Sequence, residues 1–208
     1  MSPKREVLNA LGGIPDLDRL VPADFLRRFE LGAPTQYGVV CQDVRLGIER
    51  LEVLGAGPFL YAETRPPGWT ERGEKKSVLA QMALGYIDHQ QIELLGPGEN
   101  TNLYAEKIPS DGSFALHHVG IAQLGMSRIK PALTDAGFAT VVEIGMRIGP
   151  IYSVDVAYFD TRDELGFYLE ILEFTAFGKH RPLTEGLISR IGRMQRLFRR
   201  NRSDRKVN

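Results

Sequence analysis

The sequence predicts an α+β fold in which a βαβββ module occurs twice in tandem. Two observations indicate the repeat. The opening strands align, because Gln36 begins QYGVV and His118 begins HVGIA, and a helical pattern and three further strand patterns follow each one. The closing strands, QIELL and YLEIL, each carry one glutamate in an apolar run, at Glu93 and Glu170. Polar residues therefore recur at matching places in both modules.

The first module begins with a short β-rich run over 36–41. Apolar spacing of three and four residues predicts a helix over 44–54, which ends before a glycine. Strands are predicted over 58–64, 77–87 and 91–95, with a Pro-Pro-Gly-Trp turn and a charged segment between the first two.

The second module repeats this order. A helical turn near Leu103 and a loop lead to a strand over 116–122, and a helix is predicted over 127–136. Three strands follow, over 140–147, 152–159 and 167–174. The modules are accordingly placed at 34–110 and 111–177.

Two segments lie outside the repeat. Residues 1–33 are expected to form a helical or irregular leader, in which a short helix near Pro22 buries Phe25 and Phe29. In the tail, residues 178–208, apolar residues recur at spacings of three and four from Leu187 to Phe198. This pattern predicts an amphipathic C-terminal helix.

Composition excludes several classes of protein. The chain has 208 residues, equal numbers of basic and acidic side chains, 43% apolar residues and one cysteine. A single cysteine excludes an intrachain disulfide scaffold and a cysteine-based zinc site. The sequence shows no signal-peptide core and no long apolar run, so we expect a cytoplasmic protein with no membrane span.

The net charge of zero is a cancellation between two regions. From Lys179 onward there are ten basic and two acidic residues, so the tail carries +8 and the rest of the chain −8. We expect the tail helix to dock on the body or on a second copy, and the second arrangement would make the protein a homodimer. Contact with nucleic acid or an anionic membrane is the less favoured alternative.

The repeated polar residues indicate a metal site. A glutamate within an apolar strand is costly to bury unless it is paired or bound to a cation. Taken singly, each of Gln36, Glu93, His118 and Glu170 has an ordinary structural interpretation. If the modules pair about a pseudo-twofold axis, however, the four converge, and three oxygens with one imidazole suit a divalent ion: Mn²⁺, Co²⁺, Ni²⁺, Fe²⁺ or Zn²⁺.

Several other residues are given plainer interpretations. Strand alternation places His117 and His118 on opposite faces, and His118 is chosen as the ligand because its offset to the next glycine matches that of Gln36. Trp69 is expected in a loop that packs on the protein or covers the site. Lone histidines at 89 and 180 are expected to face solvent, and the cysteine at 41 to be an inert buried thiol.

Five segments together resemble the vicinal oxygen chelate superfamily, in the branch of glyoxalase I and methylmalonyl-CoA epimerase: QYGVVCQD, HHVGIA, LGAGPFLY, IELLGP and GFYLEILE. The resemblance covers about residues 34–175 and implies a curved mixed sheet around a metal-binding cavity. It places the four ligands on Gln36, Glu93, His118 and Glu170. Gln36 departs from the histidine common in epimerases, although some glyoxalases have glutamine there.

The resemblance also implies a function, which is metal-assisted enolisation by an isomerase, epimerase or lyase of the glyoxalase type. Its substrate would carry vicinal oxygens, as in a CoA thioester, a glutathione adduct or a small keto or hydroxy acid. Glu170 is the expected catalytic base and Glu93 its counterpart on the other face. The alternatives are a non-catalytic small-molecule binding protein of the same fold and an extradiol-type dioxygenase, which Gln36 argues against.

Overall fold

A computed structural model describes residues 2–148 and 151–204 of the chain. It confirms the predicted fold class, because one strongly curled mixed sheet forms a half-barrel with helices packed against it. The helices and strands are α1 (Pro3–Ala10), α2 (Ala23–Arg28), β1 (Gln36–Val40), α3 (Val44–Val53), β2 (Leu60–Thr64), β3 (Thr70–Glu71), β4 (Glu74–Lys75), β5 (Ala80–Ile87), β6 (Gln90–Leu95), β7 (Ala115–Ala122), α4 (Met126–Asp135), β8 (Thr140–Ile148), β9 (Tyr152–Phe159), α5 (Arg162–Leu165), β10 (Tyr168–Ala176), β11 (Lys179–His180) and α6 (Glu185–Asp204).

The strand order explains how the two modules share one sheet. The order is β2-β5-β6-β1-β7-β10-β9-β8-β3-β4, with β11 paired to β10. The opening strand of each module lies parallel to the closing strand of the same module, so β1 pairs with β6 and β7 with β10. The two opening strands pair antiparallel with each other. This arrangement gives the four central strands the pseudo-twofold relation that the repeat predicts.

Alternation along the central strands divides the core between the two faces of the sheet. On the convex face, Val39 and Ile121 pack against helices α3 and α4, which bury Ile48 and Ile129. Asp43 caps the N-terminus of α3, because its carboxylate accepts hydrogen bonds from the backbone N–H groups of Arg45 and Leu46 at 2.8 and 3.0 Å. The helices therefore cover one face, and the other face is free to line a cavity.

The N-terminal leader is part of the convex core. Helix α1 buries Val7, and a short 3-10 helix, Leu17–Arg19, buries Leu17. Phe25 in α2 and the following Phe29 pack with tilted rings whose centroids lie 4.9 Å apart. All four side chains belong to the same cluster as the modules. The leader therefore contributes apolar burial to the folded protein.

The structure also contains a hairpin that the sequence did not predict. Strands β3 and β4 fall in the segment interpreted as a charged connection, and β3 pairs with β8 of the second module. Strands of two residues carry no readable period, and their pairing joins positions far apart in sequence. Since this hairpin links both halves of the chain, the domain bounds at 110 and 177 stay predictions.

Helix α6 covers the edge of the sheet at β2. The Gln195 side chain accepts a hydrogen bond from the backbone N–H of Tyr61 at 2.8 Å and donates one to its carbonyl at 3.0 Å. It thus pairs with an edge strand as a neighbouring strand would. Ile188 is buried beneath the helix, whereas Met194 and Leu197 are exposed. Within the described residues, no helix combines the length and apolar character needed to cross a bilayer.

Candidate metal centre

Backbone register brings the four predicted residues to the middle of the sheet. Across the antiparallel pair of opening strands, Gln36 lies opposite Gly120 and His118 opposite Gly38. Along the parallel pairs, Gly38 aligns with Glu93 and Gly120 with Glu170. Each opening strand thus places a polar side chain over the glycine of the other strand. This reciprocal arrangement is the structural consequence of the two aligned motifs, QYG and HVG.

Three of the four side chains form a compact group. The His118 Nε2 atom lies 3.2 Å from Glu93 Oε2 and 3.2 Å from Glu170 Oε2. One potential ligand atom from each of these residues lies within 4.8 Å of the others. All three residues are buried, His118 completely. One imidazole nitrogen and two carboxylate oxygens are a donor set that suits a divalent first-row metal.

Gln36 completes the set by a different contact. Its Nε2 donates a hydrogen bond of 2.7 Å to Glu93 Oε2. The amide therefore orients the Glu93 carboxylate, and its own carbonyl oxygen is the atom that suits a metal. The structure places Gln36 beside the group, and its role as a ligand stays a prediction.

The space for this group depends on the two glycines. A Cβ atom added at Gly38 would lie 1.9 Å from His118 Cε1, and one added at Gly120 would lie 2.9 Å from Glu170 Oε2. Neither position tolerates a larger residue without displacing these side chains, because ordinary contacts begin near 3.4 Å. The glycines of both motifs are explained by the side chains that pack over them.

Two atoms of the group have unsatisfied hydrogen-bonding capacity. His118 Nε2 and Glu170 Oε2 are buried, and although they lie 3.2 Å apart the geometry of their contact is not that of a hydrogen bond. Buried polar atoms without partners are rare in folded proteins and call for a specific explanation. A cation held between the imidazole and the carboxylates provides one, so the residues present fit a divalent metal.

The electrostatics of the group are strongly coupled. Burial raises the pKa of Glu93, and the nearby Glu170 raises it further. For His118, burial acts to lower the pKa, but the nearby carboxylates of Glu170 and Glu93 outweigh it and raise the pKa to about 9. The metal-free group therefore holds a proton on an imidazole that is surrounded by carboxylates.

His117 corrects the prediction from strand alternation. The ladder between β1 and β7 shifts register after Gly38, which leaves His117 as an additional residue on its strand. Both histidines therefore lie on the same side, with their Nδ1 atoms 3.1 Å apart. The prediction that they face opposite ways was wrong, because a β-bulge interrupts the two-residue period.

The bulge gives His117 a positioning contact. Its Nε2 lies 3.1 Å from the carbonyl oxygen of Leu103, which can only accept, so this nitrogen carries the proton. Burial, followed by the charge of His118, lowers the pKa of His117 well below its usual value, so its ring is neutral. Its Nδ1 then accepts from His118 Nδ1–H, and His118 Nε2 is left facing the carboxylates.

A cavity of about 410 Å³ extends from this group along the concave face of the sheet. Gln36, Glu93 and Glu170 form its buried end, and Tyr104 and Tyr158 lie beside them. Burial raises the pKa values of both tyrosines well above the usual value, with the carboxylate charges adding to the effect. Both hydroxyls therefore stay protonated and can donate hydrogen bonds.

The structure settles several of the other sequence expectations. Trp69 is buried and lines the cavity wall. The expectation that His180 faces solvent was wrong, because it also lines the cavity and its Nδ1 atom is buried without a hydrogen-bond partner. Pairing of β11 with β10 draws it inward. The side chain of His89 is 91% exposed, as expected. Cys41 is buried on the convex side.

The sequence did not indicate three residues that the structure places at the candidate site. His117 was set aside by the alternation rule, and no sequence signal marks a bulge. Tyr104 reaches the site from a connection, and Tyr158 reaches it from β9, the neighbour of β10 in the sheet. Alternation along β9, with Tyr158 in phase with Val154 and Val156, was the one available indication for a cavity-facing tyrosine.

Comparisons with known proteins find structural neighbours only. Neither a scan against protein-family models nor a search of curated proteins gives a match. Among solved structures, a hypothetical protein from Bacillus halodurans is 16% identical, with 73% of this chain and 97% of that chain covered and a TM-score of 0.46. A variant of Streptomyces coelicolor methylmalonyl-CoA epimerase in complex with 2-nitronate-propionyl-CoA is 16% identical, covering 73% and 99%, with a TM-score of 0.48. The epimerase from Mycobacterium tuberculosis is 15% identical, covering 71% and 94%, with a TM-score of 0.45.

Proposed function

We propose that the protein is a metal-dependent isomerase, epimerase or lyase that enolises a substrate with vicinal oxygens. One observation carries the proposal. Glu93, His118 and Glu170 form one buried cluster in which both glutamates line the cavity, and His118 Nε2 and Glu170 Oε2 have no hydrogen-bond partner. Two carboxylates that line a cavity, with an imidazole beside them, provide both a cation site and a base.

The residues proposed to hold the metal are Glu93, His118 and Glu170, with Gln36 as a fourth ligand through its amide oxygen. When bound, the ion would polarise the substrate carbonyl and stabilise the negative charge of an enolate. His117 keeps the His118 ring oriented with Nε2 toward the carboxylates, at the distances given above. Binding requires that His118 release the proton it holds in the metal-free protein.

Glu170 is the proposed base. Its side chain lines the cavity and its Oε2 atom has no hydrogen-bond partner, whereas Glu93 Oε2 already accepts from Gln36 at 2.7 Å. An oxygen with no hydrogen-bond partner is free to accept a proton, whereas Glu93 Oε2 already accepts the Gln36 amide hydrogen. Glu170 would accept the α-proton, and Glu93 would return a proton on the opposite face in an epimerisation or 1,2-shift.

The arrangement does not favour the dioxygenase alternative. Extradiol-type enzymes would need two histidines and a carboxylate on a redox iron. Here both ring nitrogens of His117 are engaged, one with Leu103 and one with His118. Among the described residues, the cluster supplies a single histidine. A non-catalytic binding protein of the same fold would bind the same ligand without converting it. The experiment below distinguishes the two functions.

The test combines metal content with proton exchange. We expect the purified protein to contain about one divalent ion per chain by elemental analysis, and Glu170→Gln to retain the ion. The same variant should exchange the α-proton of a chelating substrate with deuterated solvent about 10²- to 10⁴-fold more slowly, as expected for loss of a general base. Glu143→Gln is the matched control, because Glu143 is a strand glutamate that pairs with Lys130 at the surface.

Three results would count against the proposal. Metal-free protein after purification in metal-containing buffer would reject the metal site. Unaltered exchange in Glu170→Gln would reject this residue as the base. Metal binding without exchange of any chelating substrate would favour the binding protein of the same fold.

We also propose that α6 forms a homodimer contact. Leu187, Met194 and Leu197 are exposed on the helix, although the opposite side packs against β2 and β5. The double variant Met194→Asp with Leu197→Asp should lower the mass in sizing chromatography from dimer to monomer without unfolding the protein. A monomeric wild-type protein would reject the dimer.

A further inference from the structure

We infer that the substrate is uncharged and apolar apart from its vicinal oxygens. This inference rests on the proposed function, because it assigns the oxygens to the metal centre. It concerns the remainder of the molecule, which must occupy the cavity that extends from that centre. The walls of the cavity therefore define which chemical class fits.

The walls of the cavity are apolar. Met82 and Leu84 from β5, Val156 from β9 and Leu172 and Phe174 from β10 face it, together with the indole of Trp69. These residues come from both modules, and Trp69 directly precedes the β3–β4 hairpin of the first. A ligand skeleton that fills about 410 Å³ of this volume removes mainly apolar surface from water.

The cavity provides no cation for a second anionic group. Among the described residues that line it there is no lysine and no arginine. Two histidines line it: His89 Nδ1 lies 2.8 Å from Glu185, which already balances it, and His180 Nδ1 is buried without a hydrogen-bond partner and can bond to a neutral ligand group. The charged groups at the buried end are carboxylates. A remote carboxylate or phosphate on the substrate would thus be desolvated without a partner.

The few polar atoms of the walls suit neutral groups. Trp69 Nε1 is buried with no hydrogen-bond partner, so it can donate to one uncharged acceptor. Tyr104 and Tyr158 keep their protons and also act as donors. The site thus matches a hydrophobic α-hydroxy ketone or a related carbonyl compound. Among the substrates considered above, the ionised skeletons of CoA thioesters and glutathione adducts fit these walls poorly.

Trp69 provides a direct measure of binding. It is the single tryptophan of the chain, and it lines the cavity. The probes are benzoin, an uncharged aryl α-hydroxy ketone, and its 4-carboxylate derivative. We expect benzoin to change the Trp69 emission saturably in protein supplied with Zn²⁺, and the carboxylate to bind at least tenfold more weakly. Equal or tighter binding of the carboxylate, or no binding of benzoin, would overturn the inference.

A charge introduced into the wall gives a second, independent test. Met82→Lys places a cation on an unbranched side chain of similar length, at a half-buried position of β5. It should reverse the preference, so that the carboxylate binds more tightly than benzoin. Gln81→Lys, at the neighbouring position on the same strand and outside the cavity lining, is the matched control and should leave the preference unchanged. An unchanged preference in folded Met82→Lys would count against the inference.

Proton exchange separates this inference from the proposed function. If benzoin binds in preference to its carboxylate but its α-proton does not exchange with solvent, the cavity assignment stands and the enolising activity is rejected. If exchange occurs with charged substrates that bind as well as neutral ones, the activity stands and the assignment of an uncharged substrate is rejected.

Discussion

Replacing Gly38 by alanine tests the geometry of the candidate metal centre. The added Cβ would lie 1.9 Å from His118 Cε1 and 2.1 Å from both ring nitrogens. Ordinary contacts begin near 3.4 Å, so the ring and the methyl group must separate by a further 1.5 Å, the difference between 3.4 and 1.9 Å. The backbone at Gly38 is in a regular strand, so the substitution acts through this contact and not through backbone strain.

The His118 ring has no room for such a movement. Its centroid is 5.4 Å from that of His117 and 5.0 Å from that of Tyr158, and the side chain is fully buried. Overpacking a core in this way costs about 1–3 kcal/mol of folding stability. A ligand atom displaced by more than an ångström lies far outside the tolerance of about 0.2 Å for metal–ligand distances. We expect metal affinity to fall about 100-fold or more.

The assay is a metal titration by calorimetry together with urea unfolding. Gly145→Ala is the matched control, because Gly145 also lies in a strand and an added Cβ would approach only Asp155, at 3.4 Å. It should change stability by less than about 0.5 kcal/mol and leave metal affinity unaltered. Wild-type metal affinity and stability in Gly38→Ala would refute the placement of His118 over this glycine.

Three further predictions concern the scaffold. Burial, with a smaller effect from Asp43, raises the pKa of Cys41 to about 12, so the native thiol should not react with a disulfide reagent at pH 8 and should react once urea unfolds the chain. Gln195→Ala removes both hydrogen bonds to the edge strand and should cost about 1–2 kcal/mol in urea unfolding. Glu173→Ala removes the acceptor of two backbone N–H groups, each at 2.7 Å, at the start of α4, and should also cost about 1–2 kcal/mol.

A different result would contradict each of these three predictions. Rapid labelling of the native thiol would show that Cys41 is accessible. For the edge-strand contact, the exposed Arg190→Ala on the same helix is the control, and equal stability of both variants would reject the role of Gln195. For the helix start, Glu173→Gln should recover part of the loss, since an amide oxygen still accepts a hydrogen bond, and a smaller loss for alanine than for glutamine would contradict the capping role.

The sequence by itself determined the α+β class, the order of the principal strands and helices, and the residues that belong together. These predictions depended on local features of the sequence: the spacing of apolar residues, the glycines that end helices, and a motif that occurs twice. The aligned QYG and HVG motifs already paired each polar residue with a glycine two positions on. Local patterns of this kind suffice because helix and strand periods follow from backbone geometry.

Only the tertiary structure decided which atoms meet. The bulge that turns His117 toward His118, the β3–β4 hairpin on β8, and the tyrosines beside Glu170 all depend on contacts between distant segments. Whether Gln36 hydrogen-bonds to Glu93 or faces a cation is likewise a matter of three-dimensional packing. These features depend on how side chains pack and form hydrogen bonds between neighbouring strands. The order of residues along a single strand does not determine those contacts.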